Sequence, residues 1–220
     1  MPPSLRRAVD QAISICWNEG YGYRMGGMAH SYSDGVDCSG LIGRCLSDAG
    51  GFNYPSTHVG TMYMKSHLQT AGFNIIHPSS LNEMNNIIKP GDIVVMNHLD
   101  WTGGHTFWYM EDIEAYTDYQ AYSANKGIVH HVKVEASSTR GHSAQGDSKR
   151  DGTGAYWEVW VHAYWQLVTG YSFTSSNDEI YIARWPGGLD DKSDIFLLKR
   201  IRDGQFNIDD WTNKFMSDGI

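Results

Sequence analysis

No stretch of this 220-residue chain reaches the roughly 18 consecutive apolar residues that a membrane-spanning helix requires, so no membrane partner is expected. Positive charge is also short. Seventeen Lys and Arg against 25 Asp and Glu leave a net charge of −8, and a surface of that sign does not gather phosphates, which excludes a general nucleic-acid binder. Cysteine is scarce: three residues, at 16, 38 and 45, odd in number and irregular in spacing. That pattern excludes a disulfide framework, and the lack of C-x-x-C excludes a zinc knuckle. Cys38 and Cys45 lie two turns apart on one expected helix, about 10.5 Å of rise, too far to bridge. H-E-x-x-H is absent, and "DSKRDGTG" resembles a calcium loop only in outline, because Lys149 stands where the third ligand belongs. Neither metal nor cofactor is expected. The start, "MPPSLRRAVDQAISICW", has no long apolar core and no small-residue cleavage site; it reads as a helix start, not a signal peptide.

What is present is globular: 41% hydrophobic, 13% aromatic and 19% charged, enough for one sizeable domain. Leu5, Val9, Ile13 and Cys16 recur at helical spacing behind Ser4, a suitable N-cap. A glycine- and aromatic-rich loop follows, "EGYGYRMGGMAHSYSDG". A second helix is expected from Cys38 to Ala49, with Leu41, Ile42, Cys45 and Leu46 on its apolar face, and a third over residues 59–70. From Lys89 onward the chain reads as strands: "DIVVMN", "GGHTFWYMED", "GIVHHVKVEAS", "AYWEVWVHAYWQL" and "DEIYIARWP", the last stopped by Pro186. The segment "SSTRGHSAQGDSKRDGTG" reads as a surface loop. Helices first and strands later predict an α+β domain, with N-terminal helices packed on an antiparallel sheet. Residues 1–186 form the expected domain, and residues 187–220, more charged, an extension with one strand and one helix.

Cys38 has two readings. It is core filler, or it is a nucleophile at a helix start, where the dipole favours thiolate. Cys16 and Cys45 fit buried stripes. A thiolate needs a base, and ten histidines supply candidates. His105 follows Gly103-Gly104 and opens a strand, with small residues leaving room for a substrate; His98 is its nearest competitor. A third group must orient the imidazole. Alternation in "VHHVKVEAS" puts His131, Lys133 and Glu135 on one face, so either Glu135 or His131 qualifies.

"YRMGGMAHSYSDGVDCSGLIGRCL" resembles the Y-x-W-G-G … D-C-S-G-L segment of NlpC-type cell-wall cysteine peptidases, relatives of the CHAP amidases. "PGDIVVM", "GGHTFWYMED", "VKVEAS" and "IYIARWP" follow in the family's order, so the resemblance spans about residues 5–186. It implies a papain-like α+β fold and cleavage of an amide bond in the peptidoglycan stem peptide, D-γ-glutamyl to diamino acid. It implies Cys38 as nucleophile, His105 as base and Glu135 in the third position. Tyr23 would help bind the oxyanion, and Asp37 and Ser39 would hold the stem peptide. Three departures stand out. Met25 replaces the family tryptophan, glutamate replaces the commoner third-position histidine, and thirty residues separate His105 from Glu135, which keeps His131 as the alternative.

Two further readings share the chain. One keeps the thiol chemistry on another acyl group, as an N-acetylmuramoyl-L-alanine amidase or an acyltransferase effector. The other is an inactive binding or phage-tail structural module. Without a signal peptide or a wall-binding repeat, a wall enzyme would be a phage lysin, a tail enzyme or an exported effector.

Overall fold

The structure, a computed structural model, describes residues 2–16, 21–31, 33–112, 130–137, 154–161 and 170–189. Four helices and six strands follow one another along the described residues, the first three helices ahead of any strand. They are α1 (Leu5–Ser14), α2 (Cys38–Ser47), α3 (Thr61–Thr70), β1 (Asn74–Ile76), α4 (Leu81–Ile87), β2 (Ile93–His98), β3 (Gly104–Asp112), β4 (His130–Ser137), β5 (Gly154–Val161) and β6 (Asp178–Arg184). The strands form one sheet in the order β1-β6-β2-β3-β4-β5, and every neighbouring pair is antiparallel. The fold is α+β, as composition and order predict.

Helix positions follow from local chemistry. Ser4 caps α1 through the N–H of Arg7, and Leu5, Ala8, Val9, Ala12 and Ile13 bury one stripe. Helices α1, α2 and α3 share one core with one face of the sheet: Leu41, Ile42 and Leu46 of α2 and Met64 and Leu68 of α3 pack with Ile93, Val95, Trp108, Val134 and Tyr181. The opposite face is also dry. Val94, Met96, Phe107, Tyr109, Ile180 and Ile182 cluster there with Met84 of α4. Covering both faces explains why β2 reads as an unbroken apolar run instead of alternating.

Two elements depart from the expected series. β1 and α4 lie between α3 and β2, in a stretch for which no element was expected. α4 buries only Met84, too little for a periodic signal, although it carries a capping pair: Ser80 Oγ accepts from the N–H of Glu83, whose carboxylate takes Ser79 N–H. β6 arrives last in the chain yet lies between β1 and β2. The Pro-Gly-Asp turn anchors it. Gly91 takes a left-handed φ of 86°, and Asp92 receives a two-pronged guanidinium from Arg184 at 2.9 and 2.7 Å. Among the described residues no helix is long and apolar enough to cross a membrane. The expected strand and helix beyond residue 189, the loop of residues 138–153 with Lys149, and the end of the "AYWEVWVHAYWQL" segment lie outside the described residues.

Candidate active site

α2 starts where it does because of Asp37. Its Oδ1 accepts from the N–H of Gly40 at 2.7 Å and from Ser39 Oγ at 3.1 Å; its Oδ2 takes the N–H of Gly26 at 2.7 Å and faces His58 Nε2 at 2.8 Å. One buried carboxylate thus caps the helix, fastens the glycine-rich loop and engages an imidazole. Burial works against the Asp37 anion, but His58 and the two N–H groups outweigh it and hold the carboxyl below the usual range; the same pair raises His58. Residues 22–27 are stitched to the approach of the helix by Val36 N–H to Gly22 O, Arg24 N–H to Val36 O and Asp37 N–H to Gly27 O. Gly40 has a steric reason to lack a side chain: a Cβ there would stand 1.9 Å from the Gly27 carbonyl oxygen. The motif Asp-Cys-Ser-Gly is therefore a docking joint with Cys38 at the first position of the helix, where backbone N–H groups point outward.

His105 is the second residue of β3, paired in register with Met96 of β2. Gly104 before it makes room, but not for a substrate. A Cβ would fall 2.0 Å from Thr61 Oγ1 and 2.7 Å from Asn97 Oδ1, so that glycine lets α3 pack on the hairpin. Beside Gly103 only His98 Cδ2 comes within 4 Å, so of the Gly-Gly pair it is Gly104 whose space packing takes up.

His105 Nε2 lies 2.6 Å from Glu135 Oε2, and Glu135 Oε1 lies 2.7 Å from Lys133 Nζ. Glu135 is buried, and the Lys133 ammonium stands 5.2 Å over the ring of Phe107. Cys38 is near enough to the imidazole to help raise its pKa, as Glu135 does, so the ring has thiol and carboxylate for neighbours. Burial alone would pull the imidazole pKa down. The Glu135 charge and the hydrogen bonds to Cys38 and Glu135 win, and push it up to about 10. Burial likewise disfavours the Glu135 anion, but Lys133 and then His105 hold it well below the usual carboxylate range. At neutral pH the site is an alternating row of charges with an imidazolium beside the sulfur. Such a row suits nucleophilic attack by Cys38 followed by proton donation from His105.

The other expected residues fall into place differently. Tyr23 is half-buried, bridged to Val36, and close enough to Cys38 and Asp37 that burial and their charges push its hydroxyl up to about 12; it remains a donor. Asp37 and Ser39 are both buried, and their side-chain oxygens meet His58 and one another. His98 does not compete for Cys38: its Nδ1 meets Asp178 at 2.7 Å and its ring stacks on Tyr171 at 4.4 Å. The side chain of His131 lies outside the described residues. Cys16 and Cys45 are buried in the core, as expected.

Sequence reasoning missed His58, Lys133 and Tyr171. Lys133 had a signal, since alternation put it on the face of Glu135. Tyr171 is raised by burial and the Cys38 charge, and it stacks on His98 from a loop with no motif. His58 had none either. Among the described residues no group of three or more His, Cys, Asp or Glu is arranged to hold a metal ion.

No family model, no curated protein and no solved structure matches this chain.

Proposed function

We propose that the protein is a thiol hydrolase of papain-like, NlpC/CHAP type that cleaves an amide bond in the stem peptide of bacterial peptidoglycan, between D-γ-glutamate and a diamino acid. The observation that carries the thiol chemistry is the row Cys38–His105–Glu135, with the imidazole 2.6 Å from a buried carboxylate. The substrate rests on the resemblance of the Tyr23–Leu46 segment, the Pro-Gly-Asp turn and the Gly-His strand.

In this mechanism Cys38 Sγ attacks the scissile carbonyl carbon. The oxyanion that forms is met by the N–H of Cys38 and the Tyr23 hydroxyl. His105 gives its proton to the departing amine, and the C–N bond breaks to leave a thioester. A water then loses a proton to His105, adds to the thioester carbonyl, and expels the thiolate with the acid product. Glu135 keeps the imidazole in one orientation and compensates its charge. Asp37 acts through its grip on Gly26, Gly40 and Ser39, which shapes the wall that meets the stem peptide.

The test is digestion of purified peptidoglycan with product analysis by mass spectrometry. Wild type is expected to release a free amine on the diamino acid; Cys38→Ala is expected to release none while melting like wild type. A free lactyl carboxylate on muramic acid would assign the amidase reading instead. Equal digestion by Cys38→Ala would remove the thiol mechanism altogether.

A further inference from the structure

Four large apolar side chains are exposed among the described residues: Met25 at 78%, Trp101 at 62%, Tyr63 at 57% and Leu99 at 43%. All four lie on segments that hold the Cys38–His105 pair in place. Met25 sits in the loop fastened to Asp37 through Gly26, two residues from Tyr23. Leu99 and Trp101 occupy the turn between β2 and β3, just ahead of His105. Tyr63 lies in the first turn of α3, whose Thr61 packs on Gly104. Tyr63 and Trp101 are in ring contact with each other, and a pair of exposed aromatics marks a contact surface rather than scattered surface residues.

Trp101 is held there against its own preference. Its φ is 66°, a left-handed conformation that costs a bulky residue about 1–3 kcal/mol and persists only where the surroundings over-determine it. The surroundings do. Asp100 Oδ1 accepts from Thr102 N–H and Oγ1, Asn177 Nδ2 donates to Asp100 Oδ2, Leu99 N–H donates to Asn177 O, and Trp101 N–H donates to His98 O. The result aims the indole across to Tyr63, ring centroids 5.5 Å apart and tilted by 56°. Two flat apolar faces stand in water, one on the turn that leads into β3 and one on the first turn of α3.

We infer that Trp101 and Tyr63 form a stacking platform for a neutral sugar ring of the glycan strand to which the stem peptide is attached. The inference rests on the peptidoglycan reading. A hexose presents a face of C–H groups that packs on an aromatic ring while its hydroxyls stay in water. Charge favours a neutral occupant over an anionic one: the chain is at −8, and Asp100 beside Trp101 is held ionised, its carboxyl lowered to about 2 by Thr102 and Asn177.

Chitotetraose, a neutral peptide-free N-acetylglucosamine oligomer, is the probe, titrated into the full Cys38→Ala chain while indole N–H resonances are followed by NMR. Saturable binding is expected, with Trp101→Gly weakening it about tenfold and Tyr63→Ala about threefold. Glycine adopts φ near 66° without strain, so Trp101→Gly removes the ring and relaxes the turn; it should melt no lower than its parent. The second readout is the ratio of kcat/KM on glycan-linked over free stem peptide, which should fall about tenfold in Trp101→Gly with Cys38 intact. Absence of saturable binding, unaltered binding in Trp101→Gly, or an equal loss on both substrates would overturn the platform, the last by placing the peptide itself there. If the oligosaccharide binds and neither substrate is cleaved, the hydrolase reading fails and the platform stands.

Discussion

Two histidine–carboxylate pairs, one from each of the neighbouring strands β2 and β3, differ in what surrounds them. His105 and Glu135 meet at 2.6 Å, His98 and Asp178 at 2.7 Å, so distance does not separate them. Glu135 is buried, shares its second oxygen with Lys133, and faces an imidazole whose pKa Cys38 also raises. Asp178 lies at the rim; its second oxygen accepts from Ser172 N–H, and its imidazole is stacked on Tyr171. Low dielectric makes the first pair a strong electrostatic device and leaves the second a structural clip between β2 and β6. A histidine beside a carboxylate is therefore no signature of catalysis. Burial and a neighbouring thiol make the difference.

Breaking the buried pair should have the largest effect. Glu135→Gln is expected to lower kcat/KM on wall peptide by about 10²–10⁴-fold, because it removes both the orientation and the charge that hold His105 protonated. A loss under threefold would erase the distinction between the pairs. The pH profile sharpens it. His105 must be protonated to donate to the leaving amine, so with its pKa at about 10 the rate should hold through neutrality and fall as pH rises through that value. In Glu135→Gln the alkaline limb should move down toward the ordinary imidazole value of about 6.5. An unmoved limb would show that Glu135 does not set the charge.

A third pair, His58 with Asp37, gives a smaller and purely stabilising effect. His58 is raised in the folded state, so its contribution is whole below the ordinary imidazole pKa and fades as pH climbs through the raised value. Asp37 is lowered, so its share is present above the ordinary carboxyl value and fades in acid. His58→Ala should cost about 1 kcal/mol near pH 6 after solvent screening, a few degrees in Tm, and less at pH 9. Thermal melts at both pH values check this; a difference that grows at pH 9 would reverse the sign. The smallest effect is expected at the rim: Asp178→Asn should change kcat/KM by less than about threefold, and a Glu135-sized loss would make His98 part of the chemistry.

Much of the site was readable because short-range chemistry wrote it. Cys38 follows a capping aspartate, Glu135 alternates with Lys133, and the glycines at 27 and 40 mark where backbone meets backbone. The physical role of Asp37 was not readable, because its four partners come from three separate segments. Nor was the meaning of Gly104, whose empty space is claimed by Thr61 from α3. α4 stayed hidden because one buried methionine makes no period.

By itself the sequence determined the α+β class, the start of α2 at Cys38, the two core cysteines and the absence of a membrane-length helix. These follow from caps, periodicity and composition, which act over a few residues. Tertiary structure alone decided which histidine meets Cys38, that Lys133 and Glu135 form one buried ion pair beside it, and that Trp101 is exposed against its backbone preference. Those outcomes depend on residues far apart in the chain, and on how much water is left between them.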